Sequence, residues 1–257
     1  MARVFITGSA DGLGLLAAQL LLQAGHHVVL HARNATRVEV ARAAAPGAEA
    51  VVTGDLSSLA EMRKVAEQVN QLGRFDAVIH NVGVGYREAR RGSTPEGWPL
   101  VLAVNSLAPY VLTCLIERPA RLVYLSSGLH LQGDATLRDL TWDARPWNGT
   151  HAYADSKLHD VLLTFAVARR WPRVLANALT PGWVATRMGG RSAPDSLADA
   201  PKTQVWLATS QEPAALVTGQ YFYHQQPGDL LPAARAPTLQ DRFLAECARL
   251  TGIGLPA

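Results

Sequence analysis

Cysteine is almost missing from this chain: Cys114 and Cys247 are the only two in 257 residues, too few and too far apart for a disulfide framework or a thiolate metal site. A reducing, cytoplasmic setting is the expectation that follows. Long apolar runs are missing too, since Leu13–Leu22 and Val161–Val167 fall well short of the about 20 residues needed to cross a bilayer. Met1 leads straight toward an apolar strand without the charged segment and small-residue cleavage site of a signal peptide, so no leader is expected. Dense charge of one sign is absent: 24 Lys and Arg are interspersed with 21 Asp and Glu for a formal charge of +3, which argues against a nucleic-acid or membrane surface. The eight histidines form no His-Glu-x-x-His pattern or close Cys/His cluster, so no metal site is expected.

What is present is an alternation. Segments rich in β-branched residues at Arg3–Thr7, His27–His31, Ala50–Thr53, Ala77–His80, Arg121–Ser126, Leu175–Leu179 and Gln220–His224 read as strands. Helical patterns separate them at Leu13–Ala24, Ala35–Ala44, Ser58–Leu72, Gly97–Leu115, Tyr153–Arg170 and Ala200–Ser210, and Thr238–Leu250 closes the chain. Repeated βαβ units mean a parallel sheet with helices on both faces, and an apolar fraction of 48% suits a single α/β domain over residues 1–257. Two irregular stretches, Leu129–Thr150 and Trp183–Ala200, follow strands, where open parallel sheets bind ligands. Either one, taken alone, is also an ordinary surface loop.

Directly after the first strand comes Thr7-Gly8-Ser9-Ala10-Asp11-Gly12-Leu13-Gly14, leading into an apolar helix. Gly8 can turn without a Cβ clash, Gly12 lets the backbone approach a pyrophosphate and Gly14 permits close packing of helix on strand. The helix N-terminus would then face phosphates with unpaired N–H groups. A plain strand-to-helix turn is the alternative. The second strand ends His31-Ala32-Arg33-Asn34 with no carboxylate to hold a ribose 2′-hydroxyl, whereas the Arg33 guanidinium matches a 2′-phosphate. NADP(H) is therefore favoured, with NAD(H) possible.

Tyr153-Ala154-Asp155-Ser156-Lys157 places a phenol and an ammonium four residues apart on one helix face. Bringing a phenol from a pKa near 10 to about 7 takes roughly 4 kcal/mol. One ammonium about 4 Å away supplies a term of that order at an effective dielectric near 20. Alone, the pair also fits an ordinary amphipathic helix.

Taken in chain order, these segments resemble the short-chain dehydrogenase/reductase family. The turn matches its T-G-x-x-x-G-x-G pattern, and Asp55-Leu56, His80-Asn81-Val82-Gly83, Val104-Asn105-Ser106, Ser126-Ser127, Tyr153-x-x-x-Lys157 and Pro181-Gly182-Trp183-Val184-Ala185-Thr186 follow in sequence. Val82 departs from the family's Ala. The resemblance implies a doubly wound Rossmann fold, a seven-stranded parallel sheet of order 3-2-1-4-5-6-7, and hydride exchange between a nicotinamide and a carbonyl or alcohol substrate. It makes Asn105, Ser127, Tyr153 and Lys157 the catalytic set, with Tyr153 as acid/base, Ser127 holding the substrate oxygen and Asn105 supporting a water and the lysine in a proton relay. It assigns the cofactor to Thr7, Gly8, Ser9, Asp11, Gly12, Leu13, Gly14, Arg33, Asn34, Asp55, Leu56, Asn81, Val82, Gly83, Val104, Tyr153, Lys157, Pro181, Gly182, Val184 and Thr186. Ser127 and Tyr153 stand farther apart than in compact members, which matches the retinol dehydrogenase-like branch with its long intervening loop.

Trp142, Trp147, Trp183 and Met188 in the two loops suggest an apolar pocket and a hydrophobic aldehyde or ketone. Family members pair through helices corresponding to Gly97–Leu115 and Tyr153–Arg170, so a homodimer or a monomer is expected. The alternative function is a silent NADP(H)-binding sensor on the same fold, which would need the dinucleotide site but not the proton chain. Replacing Arg33→Asp should shift preference from NADP toward NAD, read as the ratio of the two dinucleotides' dissociation constants. An unchanged ratio would remove Arg33 from cofactor choice.

Overall fold

Strands β1 (Arg3–Ile6) and β2 (His27–Ala32) show how the sheet arises: Val4, Ile6, Val28 and Leu30 point to one face, and Phe5 and Val29 to the other, the period of two that buries both sides. The computed structural model describes residues 1–186 and 188–257. Around that pair stand β3 (Ala50–Thr53), β4 (Ala77–His80), β5 (Arg121–Leu125), β6 (Leu175–Thr180) and β7 (Gln220–Tyr223), in the order β3-β2-β1-β4-β5-β6-β7, all parallel. This is the doubly wound Rossmann arrangement expected. The sheet also gains an eighth member, β8 (Gln226–Pro227), antiparallel to β7 across a hairpin in which His224 and Gln225 both have positive φ. Two residues, one of them a proline, are too short for alternation to reveal, and an edge is where proline is tolerated.

Helices α1 (Gly12–Gln23), α2 (Ala35–Ala44) and α7 (Lys202–Thr209) cover one face, where Ala17, Leu21, Ala41 and Leu207 pack on β1, β2 and β4. The other face carries α3 (Leu59–Gln71), α4 (Leu100–Leu102), α5 (Ala108–Leu115), α6 (Gly149–Arg170) and α8 (Pro237–Thr251), with Met62, Val111, Leu162 and Phe243 in its core.

Two boundaries differ from expectation in ways that matter for the site. The helix expected from Gly97 begins only at Leu100, after Pro99, and a π-helical turn over Ala103–Leu107 separates α4 from α5. Such a widened turn re-aims side chains, and here it carries Val104 and Asn105. Helix α6 starts a turn earlier than Tyr153, because the Asn148 side chain accepts from His151 N at 3.0 Å as a cap. Tyr153 therefore sits in the second turn of a helix buried on all sides from Ala152 to Val167. Part of its cover is the stretch after β5. That stretch opens with a 3-10 turn (Gly128–Gln132) and is clamped by Arg145, which lies 3.5 Å over the Trp142 ring and pairs with Asp155 at 2.6 Å.

Burial this complete encloses several histidines as neutral rings. Desolvation lowers His31 to about 4, His80 to about 3 and His159 to about 4. Each ring binds its proton more readily unfolded, so its stabilising contribution is whole above about 6.5 and is lost as pH falls toward the folded value. Burial of Asp160, raised to about 6, acts in the opposite sense from about 6 down through the ordinary carboxylate range but is one group against three. Urea denaturation from pH 7 to 4 should show unfolding free energy falling by several kcal/mol, on the order of 1.4 kcal/mol per unit of pKa difference. A flat profile would contradict the neutral buried rings.

Candidate active site

The glycine turn is built by hydrogen bonds from both sides. Gly8 and Gly12 take φ of 63° and 56°, the left-handed region that glycine enters without penalty. A Cβ at Gly14 would lie 2.5 Å from Gly8 O, so the start of α1 lies directly on the turn. The Ser9 hydroxyl is buried, donating to Ile6 O and accepting from His31 N, both at 2.8 Å. His31 completes the frame: its Nδ1 accepts from Gly8 N at 3.0 Å while Nε2 faces Gly54 O at 2.9 Å, which fixes a neutral ring with the proton on Nε2. On the far side Asn81 Nδ2 donates to Thr7 O and Gly8 O at 2.9 and 3.0 Å, and Thr7 Oγ1 accepts from the backbone N of Asn81 and Val82. Val82 packs on Gly8, its Cα 3.0 Å from where a Cβ would stand there. These residues fit a pyrophosphate: a positive-φ turn held from outside, feeding a helix N-terminus. Leu13 lines the same cavity as Tyr153.

Where the adenosine is expected, Arg33 is exposed beyond β2, and Asn34 caps α2 by accepting from Arg37 N at 3.0 Å. The sequence reading missed Arg37, whose guanidinium reaches back to pair with Asp11 and to donate to Ala10 O at 3.3 Å. It offsets the carboxylate that Asp11 places at the mouth of the turn. The signal was available, since Arg37 lies one helical turn past the cap. Asp55 is exposed and accepts from Ser57 N at 3.0 Å, and Leu56 is buried beneath it.

The catalytic candidates converge from three elements. Of the paired serines, Ser126 is structural, its hydroxyl buried and donating to Lys157 O at 2.8 Å. Ser127 extends past β5, caps the 3-10 turn and lines the same cavity as Tyr153. Lys157 Nζ donates inward to Leu125 O at 2.7 Å and to Asp160 at 2.9 Å. Asn105, aimed by the π turn, bonds Val84 N and O and donates to the Ser156 hydroxyl at 3.0 Å; Ser156 in turn donates to Tyr153 O. Asn105 thus joins the segment after β4 to α6, and the groups bonded directly to the ammonium are Leu125 O and Asp160. Gly83 lies between them, where a Cβ would be 3.6 Å from Asn105 Oδ1 and 3.8 Å from Lys157 Nζ. The protein's own groups hold the Tyr153 phenol above its ordinary pKa: burial is the largest cause, Lys157 opposes it, and Asp160 adds to it.

Ser127 and Tyr153 open onto a cavity of about 820 Å³ beyond the carboxyl ends of β5 and β6. Pro181, Gly182, Val184 and Thr186 form one wall. Asp195 holds that wall, accepting from Trp183 N and from the Tyr223 hydroxyl, while a Cβ at Gly182 would meet its carboxylate. Trp183 and Met188 line the cavity as expected. Trp142 does not: it packs behind Tyr153 with Val101 and Ala152, held there by Arg145, and Trp147 meets it edge to face with ring centres 5.5 Å apart. Among the described residues no cluster of His, Cys, Asp or Glu could hold a metal ion, and no helix is long and apolar enough to cross a membrane.

With that geometry in view, comparisons with known proteins agree on one lineage. The family model described as enoyl-(acyl carrier protein) reductase matches residues 8–218. Short-chain dehydrogenase chyC of Penicillium rubens is 43% identical, with both chains covered to 100%. Human retinol dehydrogenase 13 is 30% identical over 99% of this chain and 86% of its own. A solved structure of an uncharacterized protein from Mycobacterium paratuberculosis aligns at a TM-score of 0.85 and 25% identity, covering 100% of this chain and 96% of that one.

Because a Cβ at position 14 would collide with backbone, Gly14→Ala should cost about 1–3 kcal/mol of stability and weaken dinucleotide binding. Thermal melting and fluorescence titration with NADPH read the two effects. A variant with unchanged melting would show that the turn is looser than its packing implies.

Proposed function

The chain belongs to the short-chain dehydrogenase/reductase family, and from that premise we propose that it is an NADP(H)-dependent carbonyl reductase or alcohol dehydrogenase acting on an apolar substrate, with Tyr153 as its acid/base. The observation that carries this reading is the convergence of the Ser127 hydroxyl and the Tyr153 phenol on one large cavity, with the Lys157 ammonium directly beneath.

Residues Thr7 to Gly14 and the start of α1 would hold the pyrophosphate, Arg33 and Arg37 the ribose 2′-phosphate, and Asp55, Leu56 and Asn81 to Gly83 the adenosine side. Val104, Pro181, Gly182, Val184 and Thr186 would frame the nicotinamide, with Lys157 on its ribose. The absence of a carboxylate at the end of β2 supports NADP over NAD. When bound in reduced form, the dinucleotide supplies the hydride that adds to the carbonyl carbon. Ser127 orients the carbonyl oxygen by hydrogen bonding. Tyr153 gives that oxygen its phenolic proton as the C=O pair moves onto it, and recovers a proton from solvent afterwards. Leu131, Trp183 and Tyr223 remain exposed around the cavity despite being large and apolar, which supports a hydrophobic substrate.

A spectrophotometric screen of apolar aldehydes and ketones with NADPH and NADH tests substrate class and cofactor together. Tyr153→Phe should lower turnover by about 10²–10⁴ while leaving NADPH affinity nearly unchanged. Undiminished turnover would remove Tyr153 from the chemistry, and tight NADPH binding with no carbonyl consumed would favour a dinucleotide-binding regulator.

A further inference from the structure

Helix α6 carries a third ionisable group on the face of Tyr153 and Lys157. Asp160 is three residues past the lysine and seven past the tyrosine, spacings that stack all three along one side of a helix. It is buried among Leu158, Val161, Leu162 and Leu163, beside the buried His159. A carboxylate in such a place is tolerated only when paired, and its partner is the Lys157 ammonium at 2.9 Å.

An ammonium has three N–H donors. Leu125 O and Asp160 take two of them, so one is left for the pocket side. The charge that was to act on Tyr153 is thereby half of a neutral pair. Lys157 Nζ stands 5.7 Å from the centre of the Tyr153 ring, close enough for its field to matter and for the opposing field of Asp160 to subtract from it. The other groups facing the phenol are Tyr86 from the segment after β4, Ser127 from the end of β5, and Tyr221 from β7. Tyr124 of β5 faces Asp160 from below and is itself bonded to Thr113. None of these carries a positive charge, so Lys157 is the one cation acting on the phenol among the described residues, and Asp160 is its counter-ion.

We propose that Asp160 is a positioning residue that anchors the Lys157 ammonium and partly cancels its pull on Tyr153, keeping the phenol protonated and biasing the site toward carbonyl reduction. A donor must hold its proton to give it, whereas alcohol oxidation needs the phenolate; a neutralised lysine favours the first. The direction of the Tyr153 pKa in the protein, raised with Asp160 among the causes, agrees with this arrangement. The inference rests on the oxidoreductase reading for its consequence in catalysis, but the coupling itself is measurable without turnover.

The test is an ultraviolet titration of tyrosinate in the protein without dinucleotide, with the Tyr153→Phe spectrum subtracted to isolate one phenol. In the wild type the Tyr153 transition should lie above the ordinary value of about 10. Asp160→Asn should move it down by about one unit or more, which is about tenfold more phenolate at a given pH. Asp160→Glu, which keeps the charge, should leave it near the wild-type position. In turnover, the acidic limb of the alcohol-oxidation profile should move down with Asp160→Asn by a matching amount. A transition that stays put or rises in a folded Asp160→Asn overturns the proposal. If that variant does not fold, a wild-type transition at or below the ordinary value overturns it instead. Should no carbonyl compound be consumed, the titration still reads the coupling, so failure of the oxidoreductase reading and failure of this one are told apart.

Discussion

A charged amine buried among apolar side chains is the constraint around which this molecule is arranged. Removing an ammonium from water costs several kcal/mol even after relaxation, unless fixed partners replace the lost hydration. Lys157 finds two, and each commits a piece of the fold. Leu125 O is free to accept because β5 ends there, and Ser126 ties the same strand end back to the lysine carbonyl. Asp160 is available because α6 is enclosed on every side, which keeps water from competing for the carboxylate. Enclosure in turn requires α4 and the π turn on one flank, α8 on the other, and the long stretch after β5 across the top.

The glycine turn obeys a related logic with neutral groups. Backbone N–H donors that serve a phosphate must not be spent within the turn, so its shape has to be imposed from outside. His31 and Asn81 do this from the ends of β2 and β4, with the Ser9 and Thr7 hydroxyls of the turn accepting from the backbone there. The imidazole can accept from Gly8 only while neutral, and burial maintains that state across the physiological range.

Much of this was legible in the residues alone. The strand and helix alternation, the glycine spacing and the tyrosine-lysine pair are local patterns, and local patterns survive in sequence. The order of the seven parallel strands followed from the family those patterns resemble. Three features were not legible, each for a physical reason. The π turn at Asn105 leaves no signature, because one extra residue in a helix does not disturb the apolar period enough to detect. The separate duties of Ser126 and Ser127 depend on which way successive side chains point from a strand end. Asp160 looked like any polar residue on an amphipathic helix, and only the burial of all faces of α6 turns it into a counter-ion. Trp142 misled in the opposite sense: a large apolar side chain in a loop beside a cavity suggested a lining, whereas its positive φ of 55° and the Arg145 guanidinium turn it inward.

The two walls of the cavity are fastened unequally. On the side of the long stretch after β5, Arg145 bolts the chain to α6 through Asp155 and stacks on an indole, so that wall moves only if the helix does. Among the described residues the opposite wall is held at Asp195, whose carboxylate grips one amide and one phenol and whose own amide donates to Trp183 O. One side is a jamb and the other a door, so traffic of bulky molecules through this opening would be governed by how often that latch lets go.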